Sequence, residues 1–212
     1  MISPMSTSPL AFDALVVQNV LGQSFLDVGC GYGKWGYLLK KYRQASAEAV
    51  PPTLTGVDLF EPHIRSLERH AIYDSLHVAS ALQLPFKDKT FDSAIACEIL
   101  EHLPRIDGPG LISELRRVSR QSFVVTTPNF ACLRGGGQTI DGFNQHEAHL
   151  HNFLYREFRT LGFTQIVGIG FKTPSFKLSR AVGSLGYYFP RFSRYLIGFW
   201  FADGKKRVLE TE

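Results

Sequence analysis

From Ser24 onward, short apolar runs alternate with longer segments whose apolar residues recur every three or four positions. Runs bounded by glycine, proline or charge read as buried strands, and the longer recurrence reads as helices packed against them. The pattern predicts strands over 24–28, 54–58, 76–79, 91–97, 123–127 and 164–170, with a last apolar stretch at 196–202. It predicts helices over 34–43, over 62–70 with Pro62 in the first turn, over 111–118, and over 155–161, stopped by Gly162. Ahead of them, Leu10, Ala14, Val17 and Leu21 share a helical face that ends at Gly22. Strand-helix alternation at this spacing argues for an α/β chain: a doubly wound parallel sheet with helices on both faces.

Two segments break the rhythm. The connection 128–148 carries Gly135, Gly136 and Gly137 and is long for a compact domain, which marks it as a lid or substrate loop. Residues 172–195 form a second interruption. Neither resembles a linker, so the chain reads as a single domain over 1–212: an N-terminal helical cap (1–23), a core (24–170), and a cap insertion with the last strand (171–212).

Composition supports one well-buried domain, with 212 residues of which 44% are hydrophobic. No apolar run approaches the ~20 residues that cross a bilayer, and residues 1–9 lack the basic flank and apolar core of a secretion signal. Cys30, Cys97 and Cys132 show no paired metal-type spacing and fit a reducing, cytoplasmic setting. Charge is uneven: residues 151–212 carry ten Lys/Arg against four Asp/Glu, whereas the first 150 residues net to −2. A basic tail suits an anionic partner, and equally a solvated face with none.

The chemistry concentrates in the turn after the first strand. Asp27 ends that strand, and Gly29, Gly31 and Gly33 let the backbone bend close to a ligand. Asp58 ends the next strand, where a carboxylate can accept hydrogen bonds from both hydroxyls of a ribose. Gly31-Tyr32-Gly33-Lys34-Trp35-Gly36 also fits the dinucleotide pattern, with Asp58 22 residues beyond Gly36. A carboxylate at Asp27 opposes a diphosphate and favours a cationic ligand, and Gly29 rather than Gly31 follows the strand directly.

Six segments in order resemble the class I S-adenosylmethionine (SAM)-dependent methyltransferases. They are 25–33; Gly56-Val57-Asp58; 81–86 with Phe91-Asp92; Cys97-Glu98-Ile99-Leu100-Glu101-His102-Leu103; 123–129; and 149–163. The likeness runs from about residue 24 to 170 and is nearest in character to the ubiquinone-biosynthesis type of O-methyltransferase. It implies a Rossmann-like, mostly parallel seven-stranded sheet with an antiparallel last strand, and S-adenosyl-L-methionine as cofactor. It also implies roles. Asp27 with Gly29, Cys30, Gly31 and Gly33 would face the methionine part, Asp58 the ribose, and Leu59 the adenine. Ala81 and Leu82 would bind the ring edge through backbone, with Cys97 and Glu98 beside the cofactor. Ser80 stands where the family often has an acid, a weaker acceptor for the adenine amino group.

Transfer to a hydroxyl gains from a base, and histidine titrates in the useful range. Of seven histidines, His102 and the group 146/149/151 follow strands four and five and belong near the cofactor, with His102 and His149 as the catalytic candidates. His63, His70 and His77 are expected on solvated element ends. Glu98, Glu101, His102 and His149 also resemble the divalent-metal set of RNA 3′-terminal 2′-O-methyltransferases, although the same segment is common in family members without metal, and the assignment here is metal-free. The acceptor is expected to be a small molecule, at oxygen, and apolar or lipid-like, with nucleic acid disfavoured by the acidic first 150 residues. Eight aromatics crowd 187–201 around Arg191 and Arg194, a candidate for peripheral membrane contact or a packed strand. From other classes, an NAD-dependent oxidoreductase and a non-catalytic cofactor scaffold remain as alternatives. The oligomeric state is not encoded legibly.

Overall fold

The computed structural model describes residues 10–44, 50–172 and 185–205. Its main sheet has seven strands in the order β3-β2-β1-β4-β5-β9-β8. These are β1 (Ser24–Val28), β2 (Thr53–Asp58), β3 (Ser75–Val78), β4 (Phe91–Cys97), β5 (Ser119–Pro128), β8 (Gln165–Phe171) and β9 (Ser193–Phe201). The first five run parallel, and β9 is inserted antiparallel between β5 and β8, pairing Pro128 with Tyr195 and Ser122 with Phe201. The expected doubly wound sheet with an antiparallel last strand is what the chain forms.

Strand parity distributes the core. Leu26 and Val28 of β1 face one side with Ala94, Ala96, Phe123 and Val125, against α4 (Gly108–Val118) through Leu111, Ile112, Leu115 and Val118. Phe25, Ile95 and Val124 face the other side, against α1 (Asp13–Asn19) and α2 (Lys34–Arg43) through Val16, Val17, Trp35 and Leu39. Alternation therefore sends Asp27 to the α2 side with Phe25. The helix α3 (Glu61–Leu67) starts with Pro62 in its first turn, and α5 (Tyr155–Phe158) runs into a tighter turn stopped at Gly162 in the left-handed region.

The interruption at 128–148 is not structureless. It holds a two-stranded hairpin, β6 (Gly137–Thr139) and β7 (Gly142–Asn144), and its return passes through a bridge between Arg134 and His149. Of the two readings of the aromatic stretch 187–201, the packed strand describes most of it: it is β9, with Leu196, Ile197, Phe199 and Phe201 buried and Trp200 stacked on Phe123. Tyr188, Phe189 and Phe192 stay outside. Much of the 172–195 insertion lies outside the described residues, as do Lys177, Arg180, Lys206 and Arg207 of the basic tail. No helix among the described residues is long and apolar enough to cross a membrane.

Candidate active site

A cavity of about 300 Å³ opens at the carboxyl ends of β1, β2 and β4, roofed by the β6–β7 hairpin. Its floor is the turn after β1. Gly29 and Cys30 amides both donate to Val57 O (2.7 and 3.0 Å), and Gly33 N donates to Cys30 O at 2.7 Å, which curls the loop into a cradle. Gly29 and Gly31 sit at φ +71° and +49°, a region that costs most side chains dearly. A Cβ on Gly29 would strike Ile99, while one on Gly31 would meet nothing within 4 Å and would project into open space.

At one end, Asp58 is fixed by three donors. Gly31 N gives to Oδ2 at 2.8 Å, Phe60 N gives to Oδ1 at 2.8 Å, and His63 Nδ1 lies 3.3 Å from Oδ2. Leu59, Ser80 and Ala81 line the same end. Leu82 does not: it packs into the core, and its amide donates to Ser80 Oγ at 3.2 Å, so that donor is already committed. The loop carrying these residues is clamped by Arg117, which donates to Leu84 O (3.1 Å) and Phe86 O (2.7 Å), and by Glu114, which accepts from Leu84 N at 2.8 Å.

Asp27 corrects the expectation drawn from its position. It does not line the cavity but lies beneath the cradle, 2% exposed, accepting from Tyr73 Oη at 2.5 Å. Burial pushes its carboxyl up to about 7, partly offset by that hydroxyl. Tyr73 was not legible as a site residue. Its ring fills the space left open by Gly36, where an added Cβ would strike it, and lies beside Gly33 and Gly56. Gly33 likewise stays out of the lining. Gly36, which completes the dinucleotide pattern in the sequence, thus serves a tyrosine.

At the other end, β4 delivers Cys97 and Glu98 to the cavity wall. Glu98 sits at φ +58° and is held by Thr126, which donates to its Oε1 at 2.8 Å while receiving its amide at 3.1 Å. Burial pushes the Glu98 carboxyl up to about 7. The Cys30 and Cys97 thiols are pushed up by burial and stay protonated, so neither is a nucleophile. Glu101, buried, accepts from Thr127 Oγ1 at 3.2 Å, and its own carbonyl receives Leu150 N at 2.8 Å, anchoring the base of the lid.

His102 lines the cavity, with Nδ1 3.0 Å from Ala148 O. A carbonyl only accepts, so Nδ1 carries the proton and Nε2 is the bare, basic atom. Burial lowers the imidazole's pKa, which keeps the ring neutral. His149 stands behind it, ring centroids 4.8 Å apart and perpendicular, outside the cavity lining. Its Nδ1 lies 3.2 Å from Cys132 Sγ, whose thiol donates to Asn152 Oδ1, and burial followed by His102 lowers its pKa to about 4. Glu101, His102 and His149 each offer a ligand atom within 4.8 Å of the others.

His63 is also corrected. It is 3% exposed and lines the cavity, its ring lying between Tyr32 (4.7 Å) and Phe60 (4.9 Å), whereas His70 is exposed and His77 edges onto Phe86. The one signal in the sequence was its place five residues after Asp58, in the first turn of the helix that follows the acid.

The comparisons agree with this geometry. A family profile described as "Methyltransferase domain" matches residues 26–124. A demethylmenaquinone methyltransferase from Halalkalibacterium halodurans is 32% identical over 143 residues, 64% of this chain and 51% of the relative. A fatty-acid O-methyltransferase from Mycolicibacterium smegmatis is 34% identical over 105 residues, 48% of this chain and 35% of the relative. The chain spans only about a third to a half of the length of such curated relatives. Among solved structures, a magnesium protoporphyrin IX methyltransferase from Synechocystis with bound SAM superposes with TM-score 0.53 at 20% identity, covering 90% of this chain and 76% of that one. A 1,6-didemethyltoxoflavin-N1-methyltransferase from Burkholderia thailandensis does so with TM-score 0.57 at 17% identity, covering 91% and 76%. Residues 26–124 thus match the methyltransferase-domain family, and the fold around them is the one shared by solved methyltransferases that bind SAM or S-adenosylhomocysteine.

Proposed function

We propose that the chain transfers a methyl group from SAM to a hydroxyl oxygen of a small, apolar or lipid-like acceptor. The observation that carries the oxygen assignment is His102: a neutral imidazole in the cavity wall whose Nδ1 is committed and whose Nε2 is left to take a proton. When bound, SAM supplies a methyl already activated on a sulfonium. The chain's part is then placement, which can contribute about 7–11 kcal/mol, and removal of one proton. Asp58 is oriented by its three donors to accept from ribose hydroxyls, the open face of Gly31 admits the methionine moiety, and Ser80 and Ala81 border the adenine. The hairpin roof keeps water from the reacting end.

An apolar acceptor is supported by Ile99, Leu103, Ile140 and Leu150 in the lining, and by relatives named for a fatty acid and for demethylmenaquinone. Tyr188, Phe189 and Phe192 stand exposed near the carboxyl end of β5, with Arg191 over the Phe192 ring, and suit contact with an anionic membrane from which such an acceptor could enter. Radiolabelled SAM incubated with a panel of lipid-like phenols, acids and quinols tests the reaction. Label retained on His102→Gln at the wild-type rate would reject the base. Asp58→Ala should weaken S-adenosylhomocysteine (SAH) binding at least tenfold by calorimetry, and unchanged affinity would reject the ribose assignment. Failure to float with phosphatidylglycerol vesicles would remove the membrane contact.

A second reading rests on the cluster of Glu101, His102 and His149. Both imidazoles commit Nδ1 and leave Nε2 bare beside a buried carboxylate, a donor set that fits a divalent cation such as Mn²⁺. A cation there would acidify an acceptor hydroxyl. Mn²⁺ should then raise the melting temperature of the wild type and not of Glu101→Gln; equal melting with EDTA and with Mn²⁺ rejects it.

A further inference from the structure

Tyr32 has no task in the site so far, and His63 only its hydrogen bond to Asp58, yet both are built into the cavity wall. Tyr32 sits at the tip of the cradle between Gly31 and Gly33, both left-handed. Its ring tilts against His63 at 4.7 Å, and its hydroxyl accepts from Ile140 N at 3.2 Å, 108 residues away at the tip of the β6–β7 hairpin. His63 is 3% exposed, with Nδ1 3.3 Å from Asp58 Oδ2 and Phe60 closing the far edge of its ring. Asp58 Oδ2 also receives Gly31 N. Asp58, Gly31, Tyr32 and His63 thus form a closed circuit, and the hairpin tip hangs from its outer corner.

We propose that Tyr32 and His63 are positioning residues that tie closure of the β6–β7 hairpin to occupancy of the ribose end of the cavity. The inference rests on Asp58 as the ribose acceptor. A ligand that loads Asp58 stiffens the ring of His63 and the loop bearing Tyr32, and with them the hydroxyl that holds Ile140. The hairpin supplies Gln138, Thr139 and Asn144 to the cavity wall, so the acceptor's wall forms once the nucleoside is in place. Coupling of this kind is reciprocal: a closed hairpin also slows nucleoside escape. It makes binding ordered, cofactor before acceptor.

The hairpin is suited to depend on such a strut. It pairs through three residues on each side, and Ile140 and Phe143 are exposed, so little burial holds it down. Tyr32→Phe keeps the ring on His63 and deletes only the hydroxyl. His63→Phe keeps a ring under Tyr32 and deletes the link to Asp58. Neither change reaches His102.

The test is amide hydrogen exchange at Ile140 in the full chain, free and saturated with SAH, with SAH affinity measured alongside. In the wild type, SAH should slow exchange at Ile140 at least tenfold. In Tyr32→Phe, Ile140 should exchange rapidly in both states, and SAH affinity should fall by about the factor by which SAH slows Ile140 exchange in the wild type. In His63→Phe, the slow exchange of the free protein should remain and the further slowing by SAH should vanish. A wild type that binds SAH with no change at Ile140, or a Tyr32→Phe protein that behaves as wild type, overturns the strut alone. Full SAH-dependent slowing in His63→Phe removes His63 from it. Absence of SAH binding in the wild type overturns the ribose assignment and the strut together.

Discussion

Asp27 offers a quantitative test because its neighbours fix both its burial and its partner. It lies 2% exposed beneath the cradle, bonded to Tyr73, and burial moves its carboxyl from 3.8 up to about 7. A folded pKa raised above the unfolded one means the folded state prefers the protonated acid. The associated stability is complete below the unfolded value and is lost as pH rises, until the folded group has itself ionised near 7. Asn at this position keeps a carbonyl oxygen for the Tyr73 hydroxyl and cannot ionise. Between pH 5.5 and 8, the wild type should therefore lose about 2 kcal/mol that Asp27→Asn keeps, at about 1.4 kcal/mol per pH unit up to the folded titration.

Urea unfolding of both proteins at the two pH values measures this directly. Glu98 and Glu101, also raised by burial, titrate in both proteins and cancel in the difference. A gap between wild type and variant that stays the same within ~0.5 kcal/mol from pH 5.5 to 8 would refute the argument. It would mean that Asp27 is already ionised at the lower pH, stabilised by a charge or water not accounted for by Tyr73.

Other consequences follow from the same contacts. Gly36→Ala puts a methyl into the Tyr73 ring and should cost about 1–3 kcal/mol in the same unfolding assay; a change below ~0.5 kcal/mol would show that Tyr73 yields freely. Arg117→Ala removes the donors to Leu84 O and Phe86 O, and should lower SAH affinity severalfold by calorimetry although Arg117 never touches the cavity; unaltered affinity would mean the Ser80–Ala81 wall needs no clamp. His102→Gln should leave SAH affinity within threefold of wild type while cutting turnover at least a hundredfold, and a matching loss of affinity would make His102 a binding residue instead.

The strands were legible because burial on both faces makes them near-continuous apolar runs, and two of them, β1 and β4, fall where the pattern put them. Asp58, Gly29 and Gly31 were legible because backbone geometry demands a glycine or an acid at those points. What the sequence concealed depends on tertiary partners. Nothing in the local pattern says that Asp27 shares a face with Phe25 and meets Tyr73, 46 residues on. His63 looked like a solvated helix end because its neighbours Glu61 and Arg65 pair on the exposed side; only the fold shows Tyr32 reaching over from the cradle to cover it. The hairpin at 137–144 has strands of three residues, too short for periodicity to register.

The two ends of the cavity differ in how they are built, and the difference explains where function hides. The proposed nucleoside end comes from the turns after β1, β2 and β3 and the start of α3, inside the matched stretch 26–124, so its residues follow directly on strands of the sheet. The acceptor end is a join. Glu98 and His102 arrive at the end of β4, while Ala148, His149 and Leu150 arrive on the return from the hairpin, beyond that stretch. His102 takes its tautomer from Ala148 O, and the Glu101 carbonyl receives Leu150 N, so the proposed base is set by a loop rather than by its own strand. A loop can vary in length and lining while the sheet stays fixed. The residue that would move the proton thus answers to the segment that would choose the acceptor, and altering the hairpin should shift acceptor choice and base orientation together.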